Sequence, residues 1–244
     1  MRTPRKSSRR ANFSNDRHSR ARGNPGSKAV TLPRRKVQAN EAADLTAALT
    51  ALKRGEVIVF PTETLYGLGA DALNFSAVEQ IFRLKGRDPD NPFPVLVADR
   101  AMLDSLVAEV TQLGELLMTR FWPGPLTLVL PARTDIPRPL VNRQGGIGVR
   151  LSSQPIATEL VRLLGRPLTA TSANPSGQPG AHTVTEAKNY FAEKISIYVD
   201  GGELFSPTGS TVAAIETNKL RIIRAGEISR ESLEKVVGKG VIET

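Results

Sequence analysis

The stretch "VIVFPTETLYGLGADALNFSAVEQIFRLKG", residues 57–86, carries the pattern that decides the fold. Its first four residues are apolar and either β-branched or aromatic, which predicts a buried strand. A loop with two glycines follows, and the segment "SAVEQIFRLKG" then predicts a helix that ends near Gly86. Ser76 and Glu79 have the spacing of a capping box at the start of this helix. A strand, a loop and a helix in this order are typical of an α/β protein.

The alternation of strands and helices extends in both directions from this stretch. Before it, Leu45, Leu49 and Leu52 recur at helical spacing, and Gly55 follows as a typical helix end. After it, seven further segments are predicted strands, namely "VLVA" (95–98), "LTLVL" (126–130), "IGVRL" (147–151), "PLTAT" (167–171), "ISIYV" (195–199), "STVAAI" (210–215) and "KLRIIR" (219–224). About eight strands interleaved with roughly five or six helices predict a single α/β domain on a twisted, mixed, open sheet with flanking helices.

Charge divides the chain into two parts. The formal net charge is +9, from 33 basic and 24 acidic residues, but residues 1–36 hold 12 of the basic residues and one acid, Asp16. The remainder therefore holds 21 basic and 23 acidic residues. Residues 1–36 are rich in Arg, Ser, Asn and Gly and poor in apolar side chains. We therefore expect a disordered basic tail there and a folded domain over residues 37–244.

The composition limits the partners and the compartment of the protein. The basic tail is either a solvated arm or an arm that contacts RNA phosphates with salt-dependent, sequence-independent affinity. No segment approaches the roughly 20 apolar residues that a membrane helix needs, so we expect no membrane contact. The chain has no cysteine, which excludes disulfides, zinc-thiolate sites, iron–sulfur clusters and a thiol nucleophile. A reducing compartment fits this composition, and we expect the protein to be cytoplasmic.

Several common catalytic motifs are missing from the sequence. It contains no GxxxxGK(S/T) phosphate loop, no GxGxxG after a strand, no GxSxG elbow and no HExxH. Histidine occurs at His18 in the tail and at His182 beyond the segment "TSANPSG". A Ser-His-Asp hydrolase would depend on His182 alone, and a histidine at such a position is more often a loop residue than a base. We therefore set the hydrolase aside.

The loop "KGRDPDNP" (85–92) and two later strands place cations where an anion could bind. Lys85 and Arg87 are separated by one glycine, so both side chains can reach one anionic group, and Asn91 can add a donor. Arg150 and Arg224 lie inside or at the end of apolar strands, where an arginine is costly unless an anion pairs with it. Solvated loop side chains and salt bridges to the chain's own acids are the alternatives.

Polar residues also gather at the ends of predicted strands, where open α/β sheets usually bind ligands. The loop "PTETLYGLG" (61–69) follows the first strand, and "TATSANPSG" (169–177) ends another. Thr62 and Tyr66 in the first loop could frame a small polar molecule, or the glycines could form a turn that packs under a helix. The segment "GSTVAAI" adds Ser210 just before a further strand.

Seven motifs occur in order along the chain: "PTETLYGLGADA", "KGRDPDNP", "FWPGPLTLVL", "GVRL", "TSANPSGQP", "STV" and "IIRAG". Together they resemble the YrdC/TsaC family of threonylcarbamoyl-AMP synthases. The resemblance runs from about residue 40 to about residue 230, which is nearly the whole predicted domain. It implies a YrdC-like fold, a twisted α/β sheet with a positively lined cleft.

The resemblance also implies an activity, nucleotidyl transfer. The family joins L-threonine, bicarbonate or carbon dioxide, and ATP to give threonylcarbamoyl-AMP and pyrophosphate, with Mg²⁺ as a cofactor. Partner proteins take the product for threonylcarbamoyladenosine modification of tRNA. By this resemblance Lys85 and Arg87 are the catalytic cations, and no side chain is expected to ligate metal. The expected nucleotide contacts are Lys85, Arg87, Asn91, Ser172, Asn174 and Arg224, and the expected threonine contacts are Thr62, Arg150 and Ser210.

Two other function classes remain open at the level of sequence. A non-catalytic RNA-binding or ribosome-maturation factor would use the same cleft, and the basic tail favours it slightly. A carbamoyl-transferring relative of the kind found in hydrogenase-maturation proteins would carry zinc-binding cysteines, which this chain lacks. Deleting residues 1–36 separates the first alternative from a synthase, because an RNA binder would lose most of its affinity with the tail.

Overall fold

A computed structural model describes residues 39–243, with the side chains of residues 39–43 left undescribed. The tail predicted over residues 1–36, and the predicted domain start at residue 37, lie outside this range and stay predictions. Seven α-helices are present in the described part: α1 (Ala39–Lys53), α2 (Phe75–Lys85), α3 (Arg100–Asp104), α4 (Gln112–Phe121), α5 (Pro155–Leu164), α6 (Val184–Phe191) and α7 (Arg230–Val237). Short 3-10 helices cover Arg138–Leu140 and Ala192–Lys194. No helix among residues 39–243 has both the length and the apolar composition needed to cross a bilayer.

Ten strands lie between these helices. They are β1 (Ile58–Pro61), β2 (Tyr66–Gly69), β3 (Val95–Leu96), β4 (Leu126–Pro131), β5 (Gly146–Arg150), β6 (Leu168–Thr169), β7 (Thr171–Ser172), β8 (Ile197–Tyr198), β9 (Thr211–Glu216) and β10 (Lys219–Arg224). The predicted α/β class with a mixed sheet is confirmed. Hydrogen bonding divides the strands into a four-stranded sheet, β7-β2-β1-β8, and a six-stranded sheet, β10-β9-β4-β5-β3-β6. Both sheets are mixed, since β1 is antiparallel to β2 and parallel to β8, while β4 is antiparallel to β5 and parallel to β9.

The segment predicted as one strand over residues 167–171 is in fact two short strands in different sheets. Leu168 and Thr169 pair with β3 of the larger sheet, whereas Thr171 and Ser172 pair with β2 of the smaller one. The amide of Ala170, between them, donates to the carbonyl of Pro94 at 2.9 Å. The chain therefore crosses from one sheet to the other here, and the following turn emerges where the two sheets meet.

Strand β1 lies between the two apolar clusters of the core. Val57 and Val59 belong to the larger cluster, and Ile58 and Phe60 to the smaller one under α1 and α5. Successive side chains of a strand point to opposite faces, so a strand buried on both faces must be apolar throughout. The continuous apolar run "VIVF" has this pattern, and the prediction of a buried strand is confirmed.

Helix α2 delivers the chain to the predicted cationic loop. The capping box predicted at Ser76 and Glu79 is wrong, because the helix begins at Phe75 and its cap is Asn74, two residues before Ser76. The side chain of Asn74 accepts a hydrogen bond from the amide of Ala77 at 3.2 Å. The predicted end is confirmed, since Gly86 adopts a left-handed conformation with φ 58° after the last helical residue. This conformation suits glycine, and it turns the backbone sharply after Lys85.

Candidate active site

A cavity of about 700 Å³ opens where the two sheets meet. Its walls come from the loop after β1, the loop after α2, strands β4, β5 and β7, and the ends of β9 and β10. Seven of the nine predicted site residues line it: Thr62, Arg87, Asn91, Arg150, Ser172, Ser210 and Arg224. Lys85 and Asn174 are not part of the wall. The structure thus brings residues separated by up to 162 positions of sequence to one site.

Arg87 is held at the cavity wall by its own loop. Its Nε donates to the carbonyl of Asn91 at 2.8 Å, and its guanidinium lies 5.2 Å from the ring centroid of Phe93. Burial lowers the pKa of Arg87 from its ordinary value. The loop therefore folds around a partly desolvated cation, whose positive charge faces the cavity.

Arg150 is the most deeply buried arginine of the cavity wall, with 5% of its surface exposed at the end of β5. Its charged partner is Glu63, whose Oε1 lies 3.7 Å from Arg150 Nε. Burial lowers the pKa of Arg150, and the negative charge of Glu63 opposes that change. Glu63 Oε2 accepts a hydrogen bond from Ser152, whereas Oε1 is buried without a hydrogen-bond partner in the described part of the chain. This loose ion pair leaves the Arg150 guanidinium able to take a second carboxylate.

Arg224, at the end of β10, is the third guanidinium group of the set and is more exposed than Arg87 and Arg150. Its Nη2 donates to the carbonyl of Ser210 at 2.8 Å and to Ser210 Oγ at 3.1 Å. Burial lowers the pKa of Arg224, and the positive charges of Arg150 and Arg87 lower it further. Arg224 is thus close enough to Arg150 and to Arg87 for their charges to repel its own.

Lys85 faces away from the cavity, toward the turn that follows β7. Its ammonium donates to the carbonyls of Ser172 and Asn174 at 2.6 and 2.7 Å, and 4% of the residue is exposed. Burial and the nearby charge of Arg87 lower the pKa of Lys85 from 10.5 to about 7. The amide of Asn174 donates to the carbonyls of Pro175 and Gln178. Lys85 and Asn174 therefore build the turn that presents Ser172, and their predicted contacts with nucleotide stay predictions.

The loop after β1 shapes its own turn. Thr62 Oγ1 donates to the carbonyl of Leu65 at 2.6 Å and lies 3.2 Å from Thr64 Oγ1. Thr64 lines the cavity as well. Thr62 Oγ1 also accepts from the amides of Thr64 and Leu65 at 3.2 and 3.3 Å, so its hydroxyl stabilises the turn, and the Thr64 hydroxyl lies beside it.

Two residues of the cavity wall have contacts that motif spacing does not indicate. Tyr66 Oη donates to the carbonyl of Gly202 at 2.7 Å and accepts from the amide of Gly201 at 2.9 Å, and burial raises its pKa to about 12. Tyr66 thereby anchors the loop that leads toward Ser210. Thr127 lines the cavity from β4 and is 1% exposed. The one polar residue within "LTLVL" was the sequence signal that could have found it.

The site is strongly cationic. Among the described residues, the wall carries five arginines, Arg87, Arg143, Arg150, Arg221 and Arg224, and two aspartates, Asp88 and Asp90. No group of three or more His, Asp or Glu side chains within residues 39–243 is placed to hold a metal ion. The fold and this wall define an α/β protein with a cationic cavity at the ends of its strands.

Comparisons with known proteins identify the family. The Sua5/YciO/YrdC family model, described as "Telomere recombination", matches residues 50–226. A threonylcarbamoyl-AMP synthase of Pyrococcus abyssi is 40% identical over 188 residues, which cover 77% of this chain and 55% of that protein. One from Bacillus subtilis is 38% identical over 195 residues, which cover 80% of this chain and 56% of that protein.

A solved structure supports the same assignment. The crystal structure of P. abyssi Sua5 complexed with L-threonine matches with a TM-score of 0.79 at 38% identity, covering 83% of this chain and 59% of that one. The chain belongs to the Sua5/YciO/YrdC family. It spans little more than half the length of these relatives.

Proposed function

We propose that this protein is a threonylcarbamoyl-AMP synthase, a nucleotidyltransferase that joins L-threonine, bicarbonate or carbon dioxide, and ATP. Its products are threonylcarbamoyl-AMP and pyrophosphate. Two relatives carry the name of this activity, and a related structure is a complex with L-threonine. The names of these relatives suggest the reaction, and the charge of the cavity in this chain is the physical argument for it.

The observation that carries the proposal is the excess of positive charge on the cavity wall. Arg143 and Arg221 form ion pairs with Asp90 and Glu216. Within residues 39–243, Arg87 and Arg224 form no ion pair, and Arg150 has Glu63 at 3.7 Å, so positive charge is left over on the wall. Cations held in a half-buried wall are costly until an anion enters, so the site favours a highly charged ligand. The triphosphate of ATP and the carboxylate of threonine together supply such charge.

The reaction makes its nucleophile from the substrate. The amine of threonine adds to carbon dioxide and loses a proton, which gives a carbamate. A carbamate oxygen then attacks the α-phosphorus of ATP, and the bond to pyrophosphate breaks. Both reacting groups are anions, so the chain's task is to hold them together and to stabilise charge on the phosphoryl oxygens.

The proposed roles follow from position in the cavity. Arg150 holds the threonine carboxylate, because a guanidinium can bind a carboxylate through two hydrogen bonds. Arg87 and Arg224 face the phosphates. Lys85 acts from behind, by fixing the turn that presents Ser172. Completing the proposed contacts, Thr62 and Ser210 hold threonine, and Asn91 and Asn174 belong to the nucleotide side.

Magnesium enters this scheme with the nucleotide. When bound, Mg²⁺ neutralises phosphate charge, and such ions are commonly held by substrate phosphates together with one or two carboxylates. Asp88 and Asp90 are the carboxylates on the wall. The cations of the chain act on the same oxygens, and their removal is the direct test of their contribution.

The wider role of the protein is part of the same proposal. Residues 1–36 contact RNA, and tRNA-modifying partner proteins take the product. The protein is cytoplasmic, so threonylcarbamoyl-AMP is made in the compartment where tRNA is modified. A protein without residues 1–36 should keep threonine-dependent chemistry. Its affinity for RNA, measured across a series of salt concentrations, should fall together with its salt dependence if the tail supplies the phosphate contacts.

The test of the activity is direct. The full chain is incubated with ATP, magnesium, bicarbonate and either threonine, serine or valine, and pyrophosphate and the acyl adenylate are followed by enzymatic assay and mass spectrometry. Threonine should give product, serine somewhat less because it lacks one methyl worth about 1–3 kcal/mol, and valine least. Absence of threonine-dependent product would overturn the proposal, and Arg87→Ala with full activity would remove Arg87 from it.

A further inference from the structure

Ser210 and Thr127 form a buried pair of hydroxyls at the cavity wall, and no function has yet been given to Thr127. Their oxygens lie 3.0 Å apart, and the two residues are 4% and 1% exposed. Arg224 Nη2 donates to the same Ser210 oxygen at 3.1 Å. Within residues 39–243, neither hydroxyl forms any other hydrogen bond.

The two hydroxyls have one more hydrogen than the described residues have acceptors for. Each hydroxyl has one hydrogen to donate and two lone pairs to accept. One of the two hydrogens bridges the pair, and Arg224 occupies a lone pair of Ser210. One hydroxyl hydrogen is therefore left without an acceptor in the described part of the chain, although both residues line the cavity. A buried donor without a partner is costly, so a ligand acceptor is expected to meet it.

Strand register places Thr127 between Ser210 and Arg150, the residue proposed to hold the threonine carboxylate. On β4, Leu128 pairs with Val149 of β5, so the antiparallel register places Thr127 opposite Arg150. On the other side, Thr127 pairs with Val212 of β9, two residues after Ser210. Thr127 thus stands between Ser210 and the guanidinium assigned to the amino-acid carboxylate.

A bound anion would accept the hydrogen of Ser210 rather than that of Thr127. Ser210 Oγ accepts from a guanidinium, which polarises its own O–H and makes it the stronger donor. A charge-assisted bond to an anionic oxygen is roughly twice as strong as a bond to a neutral hydroxyl, so Ser210 would turn its hydrogen to the anion. The hydrogen of Thr127 then fills the second lone pair of Ser210.

We propose that Thr127 is a positioning residue for amino-acid recognition: it orients Ser210 so that the Ser210 hydroxyl donates to an anionic oxygen of the substrate held by Arg150. The inference rests on the proposed function, and it deepens that function by naming a residue that acts through Ser210. Thr127 itself does not touch the substrate in this arrangement.

The test compares four variants of the full chain: Thr127→Val, Thr127→Ser, Ser210→Ala and the double variant Thr127→Val/Ser210→Ala. Thr127→Val keeps the shape and removes the hydroxyl, and it should raise KM for threonine by about threefold to tenfold. kcat and KM for ATP should stay within about twofold, because the lost contact serves amino-acid binding. Thr127→Ser should restore KM for threonine. The double variant should match Ser210→Ala, because Thr127 acts through Ser210.

A matched control separates this role from general stability. Thr169→Val also removes a buried threonine hydroxyl, one that accepts from the amide of Ala70 at 2.8 Å and does not line the cavity. It should lower the unfolding midpoint without raising KM for threonine. An unchanged KM in Thr127→Val, a loss confined to kcat, or a double variant in which the two effects multiply would each overturn the proposal.

Calorimetric binding of L-threonine to the same proteins keeps this inference distinguishable from the proposed function. If the wild type binds threonine but releases no pyrophosphate, the proposed function fails, and the pattern expected for KM should still appear in Kd. If the wild type binds no threonine, both are overturned.

Discussion

Arginines on the outer surface and arginines in the cavity have opposite electrostatic surroundings. The surface arginines Arg54, Arg100, Arg162 and Arg230 each have a carboxylate oxygen 2.5–3.0 Å away. In the cavity, Arg87 and Arg224 donate to backbone carbonyls, and Arg150 has Glu63 at 3.7 Å. The exposed wall arginines Arg143 and Arg221 are paired with carboxylates as the surface arginines are. Spare positive charge in the cavity is therefore limited to Arg87, Arg150 and Arg224.

The contrast between paired surface arginines and the cavity arginines Arg87, Arg150 and Arg224 indicates where binding free energy is available. An exposed ion pair is well solvated and contributes little to stability, so its loss matters little. A buried guanidinium has lost its water and recovers that cost when an anion arrives. The repulsion of Arg224 by Arg87 and Arg150 has the same consequence, because a bound anion relieves it. The cavity is thus prepared for an anionic ligand, and the surface is not.

Replacing Arg150 should cause the largest loss of activity of any arginine substitution. Arg150→Gln removes the two charge-assisted hydrogen bonds proposed for the threonine carboxylate, which predicts a loss of about a hundredfold or more in kcat/KM for threonine. Steady-state pyrophosphate release measures this loss. Arg162→Gln, which removes a paired surface arginine, is the control and should retain activity.

The Arg150→Gln variant should also lose stability, because Glu63 is left buried without its cation. Adding Glu63→Gln should recover much of the roughly 3–5 kcal/mol cost while leaving activity low. Urea unfolding of the single and double variants measures this recovery. Equal stability of the two variants would show that the ion pair of Arg150 and Glu63 does not govern the fold.

Replacing Arg224 should have the next largest effect. Arg224→Gln removes a cation that we propose to face the phosphates, and it removes the hydrogen bonds of Arg224 to Ser210, so KM for ATP should rise by about tenfold or more. The measurement is pyrophosphate release with ATP varied at saturating threonine. If Arg224→Gln and Arg162→Gln gave the same KM for ATP, the distinction between cavity and surface arginines would fail for this residue.

Lys85 is a buried cation whose effect on stability should depend on pH. Its pKa is about 7 in the fold against an ordinary value of 10.5, so between these values the unfolded chain binds a proton that the folded chain does not. Stability therefore rises with pH through this window, by at most about 1.4 kcal/mol per pH unit, and below pH 7 the contribution is at its lowest. The wild type should gain free energy of unfolding relative to Lys85→Met from about pH 7 to about pH 9. Urea titrations that run parallel for the two proteins would contradict the lowered pKa.

The smallest effect is expected from a surface arginine. Arg100 pairs with Asp104 and Glu115, and all three side chains are exposed. Arg100→Ala should cost about 1 kcal/mol or less and leave KM for both substrates unchanged. Thermal unfolding and the pyrophosphate assay measure the two quantities. A large loss would mean that this surface network matters more than exposed pairs usually do.

Sequence reasoning performed best where local pattern and burial agree. The apolar run of β1, the helix α1 and the end of α2 at Gly86 were all readable, because each depends on periodicity or on the conformational freedom of one glycine. Reasoning failed where neighbours compete locally. Asn74 replaced the predicted cap at Ser76, because an asparagine one residue before the helix satisfies the free amide of Ala77.

The candidate site was partly predictable for the same reason. Arginines in apolar strands stood out as costly, and Arg150 and Arg224 do line the cavity. The direction of Lys85 was not readable, because its spacing from Arg87 suits an anion as well as it suits two carbonyls on a distant turn. Thr127 was missed because its partner, Ser210, is 83 residues away.

The sequence by itself determined the α/β class, the order of its elements and the inventory of cations, since these follow from periodicity and from the cost of burying charge. Tertiary structure alone decided which cations share a cavity and which face carbonyls. It also split residues 167–171 between two sheets and placed Thr127 beside Ser210. Those outcomes depend on strand register and on contacts between distant segments, and no local pattern of residues encodes either.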